Sequence, residues 1–234
     1  VIIIDIRGIQ KITLIDYPGK VASTIFTMSC DFRCEYCHNP ELVEKNEHTP
    51  EKISVDAIFK ILEQRKKFID GVVITGGEPC LQKDLAAFIE RIKSLGLLVK
   101  LDTNGSHPEV LEELLSKGIV DYVAMDIKAP LDKYNEYAPD IDVKKIQQSI
   151  ELVKKFPDYE FRTTISRHLS PEDVVRIAET ISKAETAKKY FLQQMRFGKN
   201  LKKDLKLNLY TKHELEEICA KIKNLVYACG IRNL

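Results

Sequence analysis

The chain has 234 residues and is nearly balanced in charge, with 36 Lys and Arg against 35 Asp and Glu and a net charge of +1. That balance excludes a protein that coats a polyanion, and a hydrophobic content of 44% excludes an intrinsically disordered chain. No run reaches the roughly 18 apolar residues of a membrane helix, so neither nucleic acid nor membrane is an expected partner. Residues 1–5, Val-Ile-Ile-Ile-Asp, carry no basic region followed by a long apolar one, which points to the cytoplasm rather than to export. In that reducing setting the six Cys are expected to be ligands or buried hydrophobes rather than disulfide partners.

Residues 1–20 read as a head, with a small hairpin or edge strand over 9–17 before Pro18 and Gly19 turn the chain. A buried strand follows at 21–26, then a long Cys-containing loop. Ser54 is placed to cap a helix over 55–68, since its hydroxyl can accept from an orphaned backbone N–H. Strands are predicted at 72–75 and 98–102, separated by a helix over 83–95 that Gly96 ends. Pro108 opens the next helix and Gly118 closes it, ahead of a strand at 122–126. A helix over 143–156 leads to a strand at 159–164. Ser170, Pro171, Glu172 and Asp173 then read as cap, first helical residue and first-turn acids of a helix to about 184. After a strand at 189–193, Thr211 and Glu214 form a capping box for a last helix reaching about 228, which Gly230 stops. Six β-then-α units in tandem over 21–230 imply parallel strands with right-handed crossovers in a single domain. In a barrel or a doubly wound sheet alike, ligands bind beyond the C-terminal ends of the strands.

After the first of these strands, Cys30, Cys34 and Cys37 stand in a C-x3-C-x2-C spacing, with Tyr36 before the last and His38 and Asn39 after it. Cys34 to His38 also fits the C-x-x-C-H pattern of covalent haem attachment, which requires export. Cys30, Cys34, Cys37 and His38 could together hold a structural zinc, although such sites usually join two distant ligand pairs. The flanking Asp31, Arg33 and Glu35 speak against a chance group of buried thiols. An iron–sulfur cubane held by three thiolates would keep one iron open to substrate.

This cysteine spacing, with its aromatic Tyr36, resembles the radical S-adenosylmethionine (SAM) superfamily. The resemblance implies a partial (β/α)6 TIM-like barrel, a [4Fe-4S] cluster on Cys30, Cys34 and Cys37, and reductive cleavage of SAM to a 5′-deoxyadenosyl radical. Gly76, Gly77 and Glu78 are similar to the motif that contacts the methionyl amino group. Asp102-Thr103-Asn104-Gly105 and Asp126-Ile127-Lys128 resemble glycyl-radical-enzyme activases, in which Lys128 would face the methionyl carboxylate and Asp102, Thr103 and Asp126 would offer oxygens to a monovalent cation. Arg162, inside a strand, is implied as a ribose or carboxylate contact; read from the residues alone, it could equally face outward. Together with the head, Leu14 to Lys20, these segments are similar to activating proteins of anaerobic ribonucleoside-triphosphate reductase, which implies that reductase as protein partner and a flavodoxin- or ferredoxin-like electron donor. Two alternatives are a pyruvate formate-lyase type activase and a small-molecule radical enzyme similar to 7-carboxy-7-deazaguanine synthase. Cys80 is expected to be a small buried hydrophobe, with Cys219 and Cys229 unengaged. His48, His107, His168 and His213 are expected in solvent. Residues 193–197 add polar groups to the rim, and the Lys-rich 198–210 reads as a solvated loop or a partner contact.

Overall fold

The computed structural model describes residues 2–196 and 208–233; most of the Lys-rich loop and Phe197 lie outside them. In chain order the elements are β1 (Ile6–Thr13), β2 (Ala22–Thr27), α1 (Val55–Arg65), β3 (Gly71–Gly76), α2 (Leu85–Lys93), β4 (Leu98–Thr103), α3 (Pro108–Lys117), β5 (Tyr122–Asp126), α4 (Val143–Val153), β6 (Asp158–Ile165), α5 (Pro171–Ile181), β7 (Ala187–Gln194), α6 (Lys212–Ile222) and β8 (Val226–Arg232). The strands form one sheet in sequence order from β1 to β8. Only β1 runs antiparallel, pairing with β2; every other neighbouring pair is parallel. The edges β1 and β8 do not pair, so the sheet is an open, partial barrel of six βα units with an edge strand on each side.

The local chemistry read from the sequence sets the helix ends. Ser54 accepts from the Ala57 N–H at 3.2 Å, and both Ser170 with Asp173 and Thr211 with Glu214 close reciprocal capping boxes. Gly118 ends α3 in the left-handed region, at φ 62°. Along the strands, side chains alternate between two environments. Val72, Ile74, Val99, Leu101, Val123, Met125 and Phe161 face the helices in the main apolar core. The opposite, inner face begins at the N-terminal ends of the strands with a small cluster of Tyr17, Ala22, Val73, Tyr122 and Ala124. Above that cluster come Lys100, Glu160, Asp102, Asp126 and Arg162. The sheet curls enough for His38, after β2, to accept from the Arg196 N–H, after β7, at 3.4 Å.

Two expectations are corrected at the C-terminus. The last helix ends at Ile222, the chain turns through a bond from the Leu225 N–H to the Ile222 carbonyl at 2.8 Å, and 226–232 return as a strand parallel to β7. This return brings Cys229 beside α6, where it forms a disulfide with Cys219 across a Cα separation of 5.7 Å. Neither thiol is free. At the other end, β1 covers 6–13 rather than 9–17.

The strand that the sequence hid contributes to the inner face. Arg232 reaches Glu160 with two hydrogen bonds of 2.7 Å each, and Tyr122 donates to the same carboxylate at 2.8 Å. Glu160 is fully buried. Burial pushes its carboxyl up, but the Arg232 hydrogen bonds and the charges of Arg162, Arg232 and Lys100 outweigh that and hold it below its ordinary range. At the top of β3, a Cβ on Gly77 would stand 2.1 Å from the Ser29 carbonyl oxygen, and one on Gly76 2.3 Å from the Thr27 nitrogen. These glycines allow β3 to press against the start of the cysteine loop, where the Gly77 N–H donates to the Thr27 carbonyl at 2.9 Å and the Glu78 N–H to the Ser29 carbonyl at 2.7 Å.

Replacing Arg232 with Ala leaves a buried carboxylate short of its partner and is expected to cost about 3 kcal/mol in urea unfolding. A group with a depressed pKa contributes stability above its unfolded-state value, about 4.3 for Glu, and that contribution is lost as pH falls. The gap between wild type and R232A should therefore narrow on acidification; a gap independent of pH would show that Glu160 does not carry it. Gly77→Ala is expected to destabilise by roughly 1–3 kcal/mol through overpacking, read as a lower urea midpoint with an unchanged slope.

Candidate active site

All twelve residues singled out from the sequence line one cavity at the C-terminal ends of β2 to β6: Cys30, Cys34, Tyr36, Cys37, Gly76, Gly77, Glu78, Asp102, Thr103, Asp126, Lys128 and Arg162. His38, Asn104, Thr164 and Gln193 share its wall. The topology explains the convergence, since each group sits at or just beyond the end of a parallel strand.

The cysteine loop forms one wall. Cys34 is buried, and Cys30 and Cys37 are half-buried. Burial, with the charge of Glu78 adding to it, pushes the Cys30 thiol up to about 12, and burial pushes Cys34 up to about 11. Such thiols stay protonated until a metal displaces the proton. Cys30, Cys34 and Cys37 all line the cavity, and three thiols on one loop suit a cubane, whose irons each take one thiolate. Tyr36 is buried among Tyr137 and His168, with ring centroids at 6.0 and 5.3 Å. Its hydroxyl has no hydrogen-bond partner among the described residues.

The facing wall is ionic. Arg162 donates through Nε to Asp126 Oδ1 at 2.7 Å and through Nη1 to Asp102 Oδ2 at 3.2 Å. Lys128 donates to Asp126 Oδ2 at 3.0 Å, and Lys100, 1% exposed, donates to Asp102 Oδ1. Arg162 therefore faces inward, and the outward alternative is excluded. Burial works against the charges of Asp102, Asp126, Lys128 and Arg162, yet the pairing prevails. Asp102 and Asp126 are held below the carboxylate range, and Asp126 with its neighbours keeps Lys128 above that of a free lysine.

Each carboxylate is met by two protein cations, and the Thr103 hydroxyl is turned to Glu78 Oε1 at 2.8 Å. Glu78 is itself a clamp. It is 1% exposed and accepts from the Cys80 N–H at 3.0 Å, from Thr103, and from the Asn104 N–H at 2.7 Å. Its carboxyl ties the end of β3 to the end of β4, and burial raises its pKa despite those bonds. Cys80 is buried as expected, its sulfur 3.7 Å from Thr103 Oγ1. Two histidines expected in solvent are engaged instead. His107 stands 3.4 Å from Asp31 and 3.1 Å from Glu109, and His168 pairs with Ser166 at 2.6 Å. Asn104, which no sequence argument selected, proves central to the cysteine wall; its place after an Asp-Thr strand end was the available signal.

No helix among the described residues is long and apolar enough to cross a membrane. The Radical SAM superfamily model matches residues 24–181. A Methanocaldococcus jannaschii protein named as a glycyl-radical enzyme activating enzyme is 39% identical over 197 residues, 81% of this chain and 79% of that one. The pyruvate formate-lyase-activating enzyme of Clostridium pasteurianum is 32% identical over 128 residues, 53% of this chain and 52% of that one. In fold, the chain is similar to QueE from Escherichia coli, with a TM-score of 0.60 at 17% identity over 99% of this chain and 94% of that one. The TYW1 structure gives 0.66 at 16% identity over 88% and 74%. The spacing of the three cysteines, the parallel sheet and these similarities agree: the chain belongs to the radical SAM superfamily, among the glycyl-radical enzyme activating enzymes, and its family uses a [4Fe-4S] cluster and SAM.

Proposed function

We propose that this chain activates an anaerobic ribonucleoside-triphosphate reductase by generating a radical on a backbone glycine near that enzyme's C-terminus. The convergence of the sequence-selected residues on one cavity carries the reading, and the Asp-Tyr-Pro-Gly head supports the choice of partner. Cys30, Cys34 and Cys37 would hold three irons of the cluster. When bound, the cluster supplies the electron that cleaves SAM.

The chain's own groups bind and orient the cofactor. On the ionic wall three cations, Lys100, Lys128 and Arg162, face two carboxylates, Asp102 and Asp126. One positive charge is left over to meet the methionyl carboxylate, and Lys128, which lines the cavity and whose charge acts on both Cys34 and Cys37, is the group assigned to do so. Asp126 and Asp102 hold Lys128 and Arg162 in their rotamers, Arg162 being the ribose or carboxylate contact. Tyr36 supplies an apolar wall with a free hydroxyl. Gly76 and Gly77 keep the strand end close to the loop, and Glu78 fixes the turn that carries Asn104. Because β1 and β8 do not pair with each other, the barrel is left open to a protein loop, and a flavodoxin- or ferredoxin-like protein would serve as electron donor. Similarity to pyruvate formate-lyase-activating enzymes supports a second reading, in which the glycine belongs to that lyase.

Mixing the reconstituted protein anaerobically with reductant, SAM and each candidate partner in turn tests both. A glycyl-radical EPR doublet is expected with the reductase. A doublet only with pyruvate formate-lyase selects the second reading, and rapid 5′-deoxyadenosine formation with no doublet from either points to a small-molecule substrate. Lys128→Ala is expected to weaken SAM binding by roughly tenfold or more, the loss of a hydrogen bond between charged groups, with iron content unchanged. Unaltered affinity would mean that the carboxylate is met elsewhere.

A further inference from the structure

The cysteine wall is held by one side chain that the proposed cofactor contacts do not use. Asn104, just beyond the end of β4, is buried, with 6% of its surface exposed. Its amide orientation is set by its neighbours. Oδ1 accepts from the Ser106 N–H at 2.9 Å and from the Ser106 hydroxyl at 2.6 Å. Nδ2 therefore faces the other way, donating to Asp31 Oδ1 at 2.8 Å and to Cys30 Sγ at 3.9 Å. The amide makes use of both its oxygen and its nitrogen. Asp31 is in turn fixed beside His107.

Cys30 also receives the Phe32 N–H at 3.4 Å. That donor is fixed by the loop backbone. Among the described residues, Asn104 supplies the side-chain N–H that reaches a sulfur of the three-cysteine loop.

We propose that Asn104 is a positioning and tuning residue for the cluster: its amide N–H, oriented by Ser106 and Asp31, donates to the Cys30 thiolate and raises the cluster's reduction potential. The inference rests on the reading that Cys30, Cys34 and Cys37 hold the cluster. A hydrogen bond to a ligating sulfur stabilises the extra negative charge of the reduced state, which shifts the potential upward. The reduction adds one electron to the cluster and makes or breaks no bond at Asn104, whose amide stays neutral throughout. In an activase this matters at the first step, because the cluster must accept an electron from a donor of limited driving force.

The test compares wild type with Asn104→Ala, each reconstituted anaerobically with iron and sulfide as the full chain. Iron content and the EPR signal of the reduced cluster are measured first, and then the midpoint potential by EPR-monitored titration. Asn104→Ala is expected to carry the same iron with a lower potential, and so a smaller reduced fraction at a given poise. An unchanged or raised potential at equal iron content overturns the proposal. Should the truncation fail to fold or load, the double exchange Asp31→Asn with Asn104→Asp replaces it. The exchange keeps one amide and one carboxylate facing each other at the same net charge, but turns an oxygen rather than an N–H toward the Cys30 sulfur. It too should lower the potential, and no change would overturn the proposal. Wild type that binds zinc and takes up no iron would overturn the cluster reading itself, and this inference with it; that failure shows in the iron content, before any potential is measured.

Discussion

A guanidinium buried inside a sheet must be answered by anions, and Arg162 sets that condition for the whole inner face. Its two partners, Asp126 and Asp102, sit on the two preceding strands, and each then draws in a second cation, Lys128 or Lys100. Below this layer Glu160 repeats the pattern with Arg232 and Tyr122. The network works because the strands are parallel and in register: Asp126 pairs with Arg162 in the sheet ladder, so the carboxylate and the guanidinium emerge side by side on one face. Removing one member of such a set leaves its partners charged and dry, so the site's geometry and the stability of the barrel interior are one matter.

The cysteine wall is tied to the ionic wall through Glu78 and Asn104. Glu78 fastens the ends of β3 and β4 to each other, and Asn104, whose own N–H is one of those ties, reaches across to Asp31 and Cys30. A long loop would otherwise be free to move relative to the strands. Here the turn after β4 serves as its brace, and a glycine-lined contact between Gly77 and Ser29 serves as the other. Position is supplied by these braces, and charge by the layer behind them.

Most of the fold was legible because its punctuation is local: a Ser, Thr or Gly at a helix end acts over three or four residues, and Ser54, Ser170, Thr211 and Gly118 all do so where expected. The cysteines were legible for the same reason. What the sequence concealed depends on distance. Residues 226–232 are short and mixed in character, so 226–228 read as the end of the last helix and Gly230 as its stop; only pairing with β7 makes them a strand, and that pairing brings Cys229 to Cys219. The role of Glu78 likewise required partners 25 and 26 residues away. Arg162 could face either way until the partners of its guanidinium were known, and His107 and His168 looked solvated because the groups packed beside them, Asp31 and Tyr36, come from the distant cysteine loop.

Tyr17 belongs to the head yet lies among Ala22, Val73, Tyr122 and Ala124 on the inner face, its ring 5.8 Å from that of Tyr122. It sits where the strands begin, opposite the cavity, and presses on Gly71, whose missing Cβ would meet its ring at 3.1 Å. The head therefore supplies part of the floor. Through Tyr17 it completes the small apolar cluster beneath the charged layers, so a segment outside the six βα units helps to build the interior on which the site stands.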